Sequence, residues 1–151
     1  MIVHKGRTIF VGDTSVHEYP TSEQMAEIAI STARVVRLFG FDPKVAFVSH
    51  STFGQPLTSR TKHIRSAVEI LKEKKVDFEF DGDMQPDVAL NPEYEELYPF
   101  AKIVGKANIL IMPGQHSAAI SYKLMKTIGE TKVIGPLLIG LGLPIEIAPL
   151  R

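Results

Sequence analysis

Cysteine and tryptophan are both absent from the 151 residues. Without a thiol there is no disulfide, no zinc–thiolate or iron–sulfur site and no cysteine nucleophile, and the lack fits a reducing compartment. Charge of one sign is missing too: Lys plus Arg number 17 and Asp plus Glu number 17, so the basic excess of a nucleic-acid binder is not there. No hydrophobic run is long. The most apolar stretch, residues 136–143, is broken by glycines and falls far short of the roughly 20 residues that span a bilayer. The first ten residues, MIVHKGRTIF, contain no signal-peptide core. These absences, with a hydrophobic fraction of 44% that is too high for disorder, predict a cytoplasmic globular α/β or α+β protein with neither nucleic acid nor membrane as partner.

Apolar strands alternate with amphipathic helices along the chain. Residues 8–11 read as a strand that enters Gly12-Asp13-Thr14. Thr21 and Gln24 have capping-box spacing, and Met25, Ile28, Ala29, Thr32, Val35, Val36 and Phe39 follow at helical period up to the stop at Gly40. Residues 44–49, KVAFVS, form a strand apolar on both faces. Thr58 or Ser59 starts a helix whose inner stripe is Ile64, Ala67, Val68 and Leu71. Phe78-Glu79-Phe80 alternates like a short strand, Asp81-Gly82-Asp83 reads as a turn, and Asn91-Pro92 as the cap of a short helix to about Leu97. Residues 108–112 form another buried strand. Ser117 then reads as an N-cap, with Ile120, Leu124 and Ile128 inward and Gly129 closing. The pattern predicts a three-layer α/β/α domain with a mainly parallel sheet and ligands beyond the strand C-terminal ends. Those ends fall at Asp13-Thr14, at residues 49–52, near Asp81 and at residues 113–117.

Candidate chemistry concentrates there. Ser49-His50-Ser51-Thr52-Phe53-Gly54 sits between a strand and a helix, where hydroxyls and backbone N–H groups hold a phosphate or simply make a capped turn. His116-Ser117 offers a ligand contact or a helix cap. Asp81, Asp83 and Asp87 suggest a cation site, but the EF-hand register fails because Pro92 occupies its twelfth position, so no metal is expected. A G-x-S-x-G elbow, a Gly-Lys-Ser/Thr loop and a G-x-G-x-x-G turn are all missing. Lys123 and Lys126 are surface cations unless the helix that bears them lines an anionic ligand.

Several motifs occur in one order: Gly12-Asp13-Thr14-Ser15-Val16, Pro20-Thr21-Ser22-Glu23-Gln24, the residues 49–54, Asp81-Gly82-Asp83-Met84-Gln85-Pro86-Asp87, Met112-Pro113-Gly114-Gln115-His116-Ser117, Ile120-Ser121-Tyr122-Lys123 and Ile134-Gly135-Pro136-Leu137-Leu138. The ordered set resembles the phosphate acetyl/butyryltransferase family, and within it the phosphotransacetylase-like domain of bacterial hybrid NADP-dependent malic enzymes.

The resemblance implies a two-subdomain α/β/α fold with an acyl-CoA and phosphate cleft between its halves. Residues 1–151 would be one subdomain, a fragment of a longer chain whose other half, and whose NADP, malate and divalent-metal sites, lie upstream. It also implies self-association, at least to a dimer. The acyl-CoA or phosphate contacts it points to are Ser51, Thr52, Tyr122, Lys123, Gly135 and Pro136, with His116 as a weaker candidate. Transferases of the family continue beyond Pro144-Ile145 to a Ser-Arg pair and then an aspartate, whereas Pro149-Leu150 stand at the paired positions here. The resemblance therefore implies no catalytic residue in this chain and a regulatory domain that senses acetyl-CoA. The parent reaction would be oxidative decarboxylation of malate to pyruvate. A catalytic phosphate acetyltransferase and a pure oligomerisation module are the alternatives.

Overall fold

The computed structural model describes residues 1–141; the readings placed on Pro144, Ile145, Pro149 and Leu150 lie outside them. In chain order the elements are β1 (Ile2–His4), β2 (Arg7–Gly12), α1 (Ser22–Leu38), β3 (Lys44–Val48), α2 (Ser59–Lys74), β4 (Glu79–Met84), α3 (Pro86–Leu90), a 3-10 turn (Pro92–Tyr94), β5 (Ile109–Ile111), α4 (Gln115–Ile128) and β6 (Lys132–Val133). The six strands form one sheet in the order β4-β3-β5-β2-β1-β6. The four strands from β4 to β2 are parallel, and β1 and β6 add antiparallel pairings at one edge. The mainly parallel α/β sheet expected from the alternation is present.

The sheet is covered on both faces. On one, α1 packs over β5 and β2 while α2 packs over β4. Their core joins Met25, Ala29 and Val36 of α1 and Ile64, Val68 and Leu71 of α2 to Phe10, Val45, Phe47, Ile109 and Ile111 from the strands. The other face buries Ala46, Val48, Leu110 and Met112 against α3, the segment 103–107 and Ala118 of α4. Strands that are apolar on both sides, such as residues 44–48, belong in such a middle layer.

Local chemistry fixes the ends. Thr21 and Gln24 make the expected reciprocal capping box, and Thr58 caps α2 in the same way with Thr61. Asn108 sets the start of β3 and β5 together: its side-chain oxygen accepts from Lys44 N–H at 2.8 Å and its amide donates to the Asp42 carbonyl at 2.7 Å. Arg7 ties the excursion between β4 and β5 to β2 by donating to the carbonyls of Leu90, Gly105 and Ala107.

Three expectations are corrected. Asp81, Gly82 and Asp83 do not turn; they lie within β4, where Asp81 and Gly82 pair with Ala46 and Phe47 of β3 and Asp83 sits at a register shift with its carbonyl taking Phe53 N–H, so neighbouring segments supply the backbone partners that a turn would have supplied locally. Ser117 is not the cap of α4, which begins at Gln115 after Gly114. The same helix does not carry Ile120, Leu124 and Ile128 inward: they are 64%, 55% and 77% exposed. The helix packs instead through Ala118, Tyr122 and Met125. Positions 118 and 120 lie about 200° apart on a helix, so the two apolar stripes point in opposite directions. The strand at residues 2–4 had no counterpart in the sequence reading; it is held by pairing with β2 and β6.

Candidate functional site

Strand β2 ends in Gly12-Asp13. A Cβ on Gly12 would sit 2.7 Å from Ile111 Cδ1 on β5 and 3.0 Å from Ile28 Cγ2 on α1, so a larger residue here would make these side chains shift. Asp13 then turns the chain with φ 47°. Its carboxylate accepts from the N–H groups of Ser15 (3.2 Å), Val16 (2.7 Å) and His17 (3.0 Å) and pairs with the His17 ring through Nδ1. Burial pushes the Asp13 carboxyl upward, but the hydrogen bonds from Val16, the His17 ring, Ser15 and His17 N–H outweigh it and hold the group below its ordinary value.

Beside this turn opens a cleft of about 490 Å³, within the size range of small-molecule sites. One wall is the outer side of α1, with Ile28 and Val35; the other is the segment after β6, from Ile134 to Ile139. Asp13 and His17 stand on its polar side, and Glu23 and Glu27 on its α1 rim. Tyr122, Gly135 and Pro136 line it. Of the six residues singled out for acyl-CoA or phosphate, these three are brought together, though they come from α4 and from the segment beyond β6.

The other residues stand elsewhere. Lys123 is exposed on α4, one position from Tyr122. His116 is exposed at the start of the same helix, 3.3 Å from Glu18 Oε1 and stacked on Tyr19. Ser51 is wholly buried, and its hydroxyl donates to the Asp83 carboxylate. Thr52 is also buried, and its hydroxyl oxygen accepts from Gln85 N–H at 3.2 Å. Ser51 and Thr52 thus form the inner side of the loop after β3. Asp83 is fully buried, receives Gly54 N–H at 3.0 Å and faces the Arg65 guanidinium at 3.7 Å. On the same strand, burial pushes the Asp81 carboxyl above its ordinary value, against the opposing pull of Gly82 N–H, Lys72 and Arg65. Among the described residues no three His, Asp or Glu side chains are grouped to hold a metal ion, and no helix is long and apolar enough to cross a membrane.

A second groove, of about 370 Å³, opens at the C-terminal ends of β3 and β4, with Phe53, Tyr98 and Phe100 along it and Thr52 at its base. Sequence reasoning missed it. The available signal was four aromatic side chains, Tyr94, Tyr98, Phe100 and Phe53, in and near an otherwise acidic stretch.

Known proteins match this arrangement. The family model described as phosphate acetyl/butaryl transferase matches residues 1–149. An NADP-dependent malic enzyme of Rhizobium meliloti (strain 1021) is 49% identical over 144 residues, covering 95% of this chain and 19% of the relative. A phosphate acetyltransferase of Bacillus subtilis (strain 168) is 34% identical over 147 residues, covering 96% of this chain and 46% of the relative. Among solved structures, the EutD phosphotransacetylase from Staphylococcus aureus superposes with a TM-score of 0.88 at 31% identity, over 96% of this chain and 46% of that one. The chain therefore spans about a fifth of the malic enzymes and under half of the transacetylases it matches.

Proposed function

The chain belongs to the phosphate acetyl/butyryl transferase family, and from that premise we propose that it is an acyl-CoA-sensing regulatory domain of an NADP-dependent malic enzyme, binding acetyl-CoA without transferring the acetyl group. The observation that carries the reading is the meeting of Tyr122, Gly135 and Pro136 on one apolar cleft of about 490 Å³. Apolar walls suit a pantetheine arm, and the Tyr122 ring packs on such a chain while its hydroxyl stays available for a polar contact. Lys123, next to Tyr122 in sequence but exposed outside the cleft lining, carries a point charge that suits a phosphate of a ligand extending beyond it.

Transfer asks for more than binding. It needs groups that stabilise developing charge and accept the thiol proton. Pro149 and Leu150 stand where the family's transferases carry a Ser-Arg pair, and neither side chain hydrogen-bonds or holds charge. A site that keeps its binding contacts and lacks those groups becomes a sensor. For the sensor to restrain a reaction elsewhere, acetyl-CoA must bind two assembly states with different affinity. The reaction so restrained is oxidative decarboxylation of malate to pyruvate, with NADP and a divalent metal held by other parts of the whole protein.

The second reading, a catalytic phosphate acetyltransferase, is favoured by the 34% identity to the Bacillus subtilis phosphate acetyltransferase. Calorimetric titration with acetyl-CoA, run beside a thiol-release assay with acetyl-CoA and phosphate, separates the two. The expected result is binding without CoA release. Steady acetyl-phosphate formation overturns the regulatory reading. Replacing Lys123 by Ala in the whole enzyme is expected to weaken acetyl-CoA inhibition, and an unchanged response with intact assembly removes Lys123 from the site.

A further inference from the structure

As a turn former the Asp13 carboxylate is already served by the N–H groups of Ser15, Val16 and His17. Its fourth partner is different in kind. Oδ2 also meets Nδ1 of the His17 ring. The carboxylate side chain is 9% exposed and the histidine side chain 34%. The bonds around Asp13 hold its pKa below the ordinary carboxylate value, so it is ionised at neutral pH, and an ionised carboxylate only accepts hydrogen bonds. The proton in the contact therefore sits on Nδ1. A neutral imidazole has one ring proton, so its Nε2 is left as an acceptor. With Nδ1 turned to the buried carboxylate, Nε2 lies on the other side of the ring, and among the described residues it has no hydrogen-bond partner. The ring lines the cleft of about 490 Å³.

The rest of the cleft narrows what this acceptor selects. Phe10, Ile28, Val35 and Leu137 give it apolar walls. Its acidic side chains are Asp13, Glu23 and Glu27, and among the described residues no Lys or Arg lines it. A ligand carboxylate at this end meets like charge and a second acceptor. A ligand with an N–H or O–H donor there pairs with Nε2, and a ligand without one forfeits that bond. Resting on the reading of this cleft as a ligand site, we propose that His17 is its specificity-determining residue and Asp13 the positioning residue that fixes the ring. The pair selects a ligand that is apolar along the cleft and donates a hydrogen bond, without negative charge, at the His17 end.

Asn in place of Asp13 reverses the polarity of this contact. The asparagine oxygen keeps the bonds from Ser15 and Val16 at the Oδ1 position and gives up the bond from His17 N–H. Its amide donates to His17 Nδ1, the ring proton moves to Nε2, and Nε2 becomes a donor.

The test reads both the tautomer and the preference in the native chain, Asp13→Asn and His17→Phe, with folding checked by circular dichroism. Ring-nitrogen NMR shifts of the isotopically labelled chain, taken above pH 8 where free imidazole is neutral, give the tautomer of His17. NMR titration with N-butylacetamide, which has an N–H donor, and N-butyl-N-methylacetamide, which has none, gives the preference. The native chain is expected to show the Nδ1–H tautomer and to bind the secondary amide about fivefold more tightly, the effect of one hydrogen bond. Asp13→Asn is expected to show the Nε2–H tautomer and to lose the preference, and His17→Phe to lose it too. An Nε2–H tautomer in the native chain, equal affinity for the two amides, binding of neither, or a preference that survives either substitution overturns the assignment. Acetyl-CoA is titrated alongside. Donor preference without acetyl-CoA binding leaves His17 standing and removes the acyl-CoA reading. Acetyl-CoA binding without donor preference does the reverse.

Discussion

The Ser51 hydroxyl donates to the carboxylate of Asp83, a residue 32 positions later in the chain, and both side chains are fully buried. From the sequence the serine is a candidate phosphate contact, while the aspartate, in a stretch whose EF-hand register fails, has no assigned ligand. Together they satisfy one another and hold the loop after β3 on the end of β4.

Asp83→Ala removes the acceptor for Ser51 and Gly54 and leaves Arg65 without its partner. The expected loss of stability is about 2–4 kcal/mol, because two buried donors lose their acceptor at about 1–3 kcal/mol each, while Arg65, 42% exposed, stays solvated. Ser51→Ala leaves the Gly54 and Arg65 contacts in place and is expected to lower stability by about 1–2 kcal/mol. Urea denaturation of the two variants checks the order; equal effects contradict the assigned network.

Gly12→Ala introduces a methyl group 2.7 Å from Ile111 Cδ1. Overpacking of this kind is expected to cost about 1–3 kcal/mol. Adding Ile111→Val removes the clashing carbon, so the double variant should recover part of the loss. Thermal denaturation of the single and double variants decides it, and additive losses argue against the clash.

Two carboxyls give opposite pH signatures. Asp13 has a folded pKa below its unfolded one. Its stabilising contribution is therefore present above the unfolded value and disappears as pH falls through the folded value. Asp81 has a folded pKa above its unfolded one, so its ionisation weakens the fold at neutral pH, and that penalty fades as pH falls through the raised value. Asp13→Asn is expected to be less stable than the native chain at pH 7, with the gap closing in acid. Asp81→Asn, which keeps the acceptor for Gly82 N–H, is expected to be more stable at pH 7, with the gap closing as the native Asp81 protonates. Stability measured across pH 3–8 for both variants checks the two signs.

The exposed row of Ile120, Leu124 and Ile128 on α4 is expected to drive self-association, since contiguous apolar surface tends to find a partner. Leu124→Lys together with Ile128→Lys should shift sedimentation toward the monomer and leave the melting temperature nearly unchanged, because neither side chain is buried. A native chain that sediments as a monomer over a wide concentration range refutes the expectation.

Much of this molecule is legible in its residues. The strands at β2, β3 and β5 are short apolar runs with stop signals, and α1 and α2 each open directly after an N-cap threonine whose capping partner follows three residues later. Such signals act over a few residues, so sequence alone specifies them. The ordered motifs likewise pointed to the family that the comparisons support. Tertiary structure decided the rest. Residues 79–84 become one continuous strand because β3 lies alongside to take its backbone bonds. The helix after β5 carries two apolar stripes, and the one with Ala118, Tyr122 and Met125 meets the core while Ile120, Leu124 and Ile128 stay exposed. The site depended on this too. Tyr122 and Pro136 share a cleft, and Ser51 turns inward, through contacts between elements distant in sequence, which no local pattern encodes.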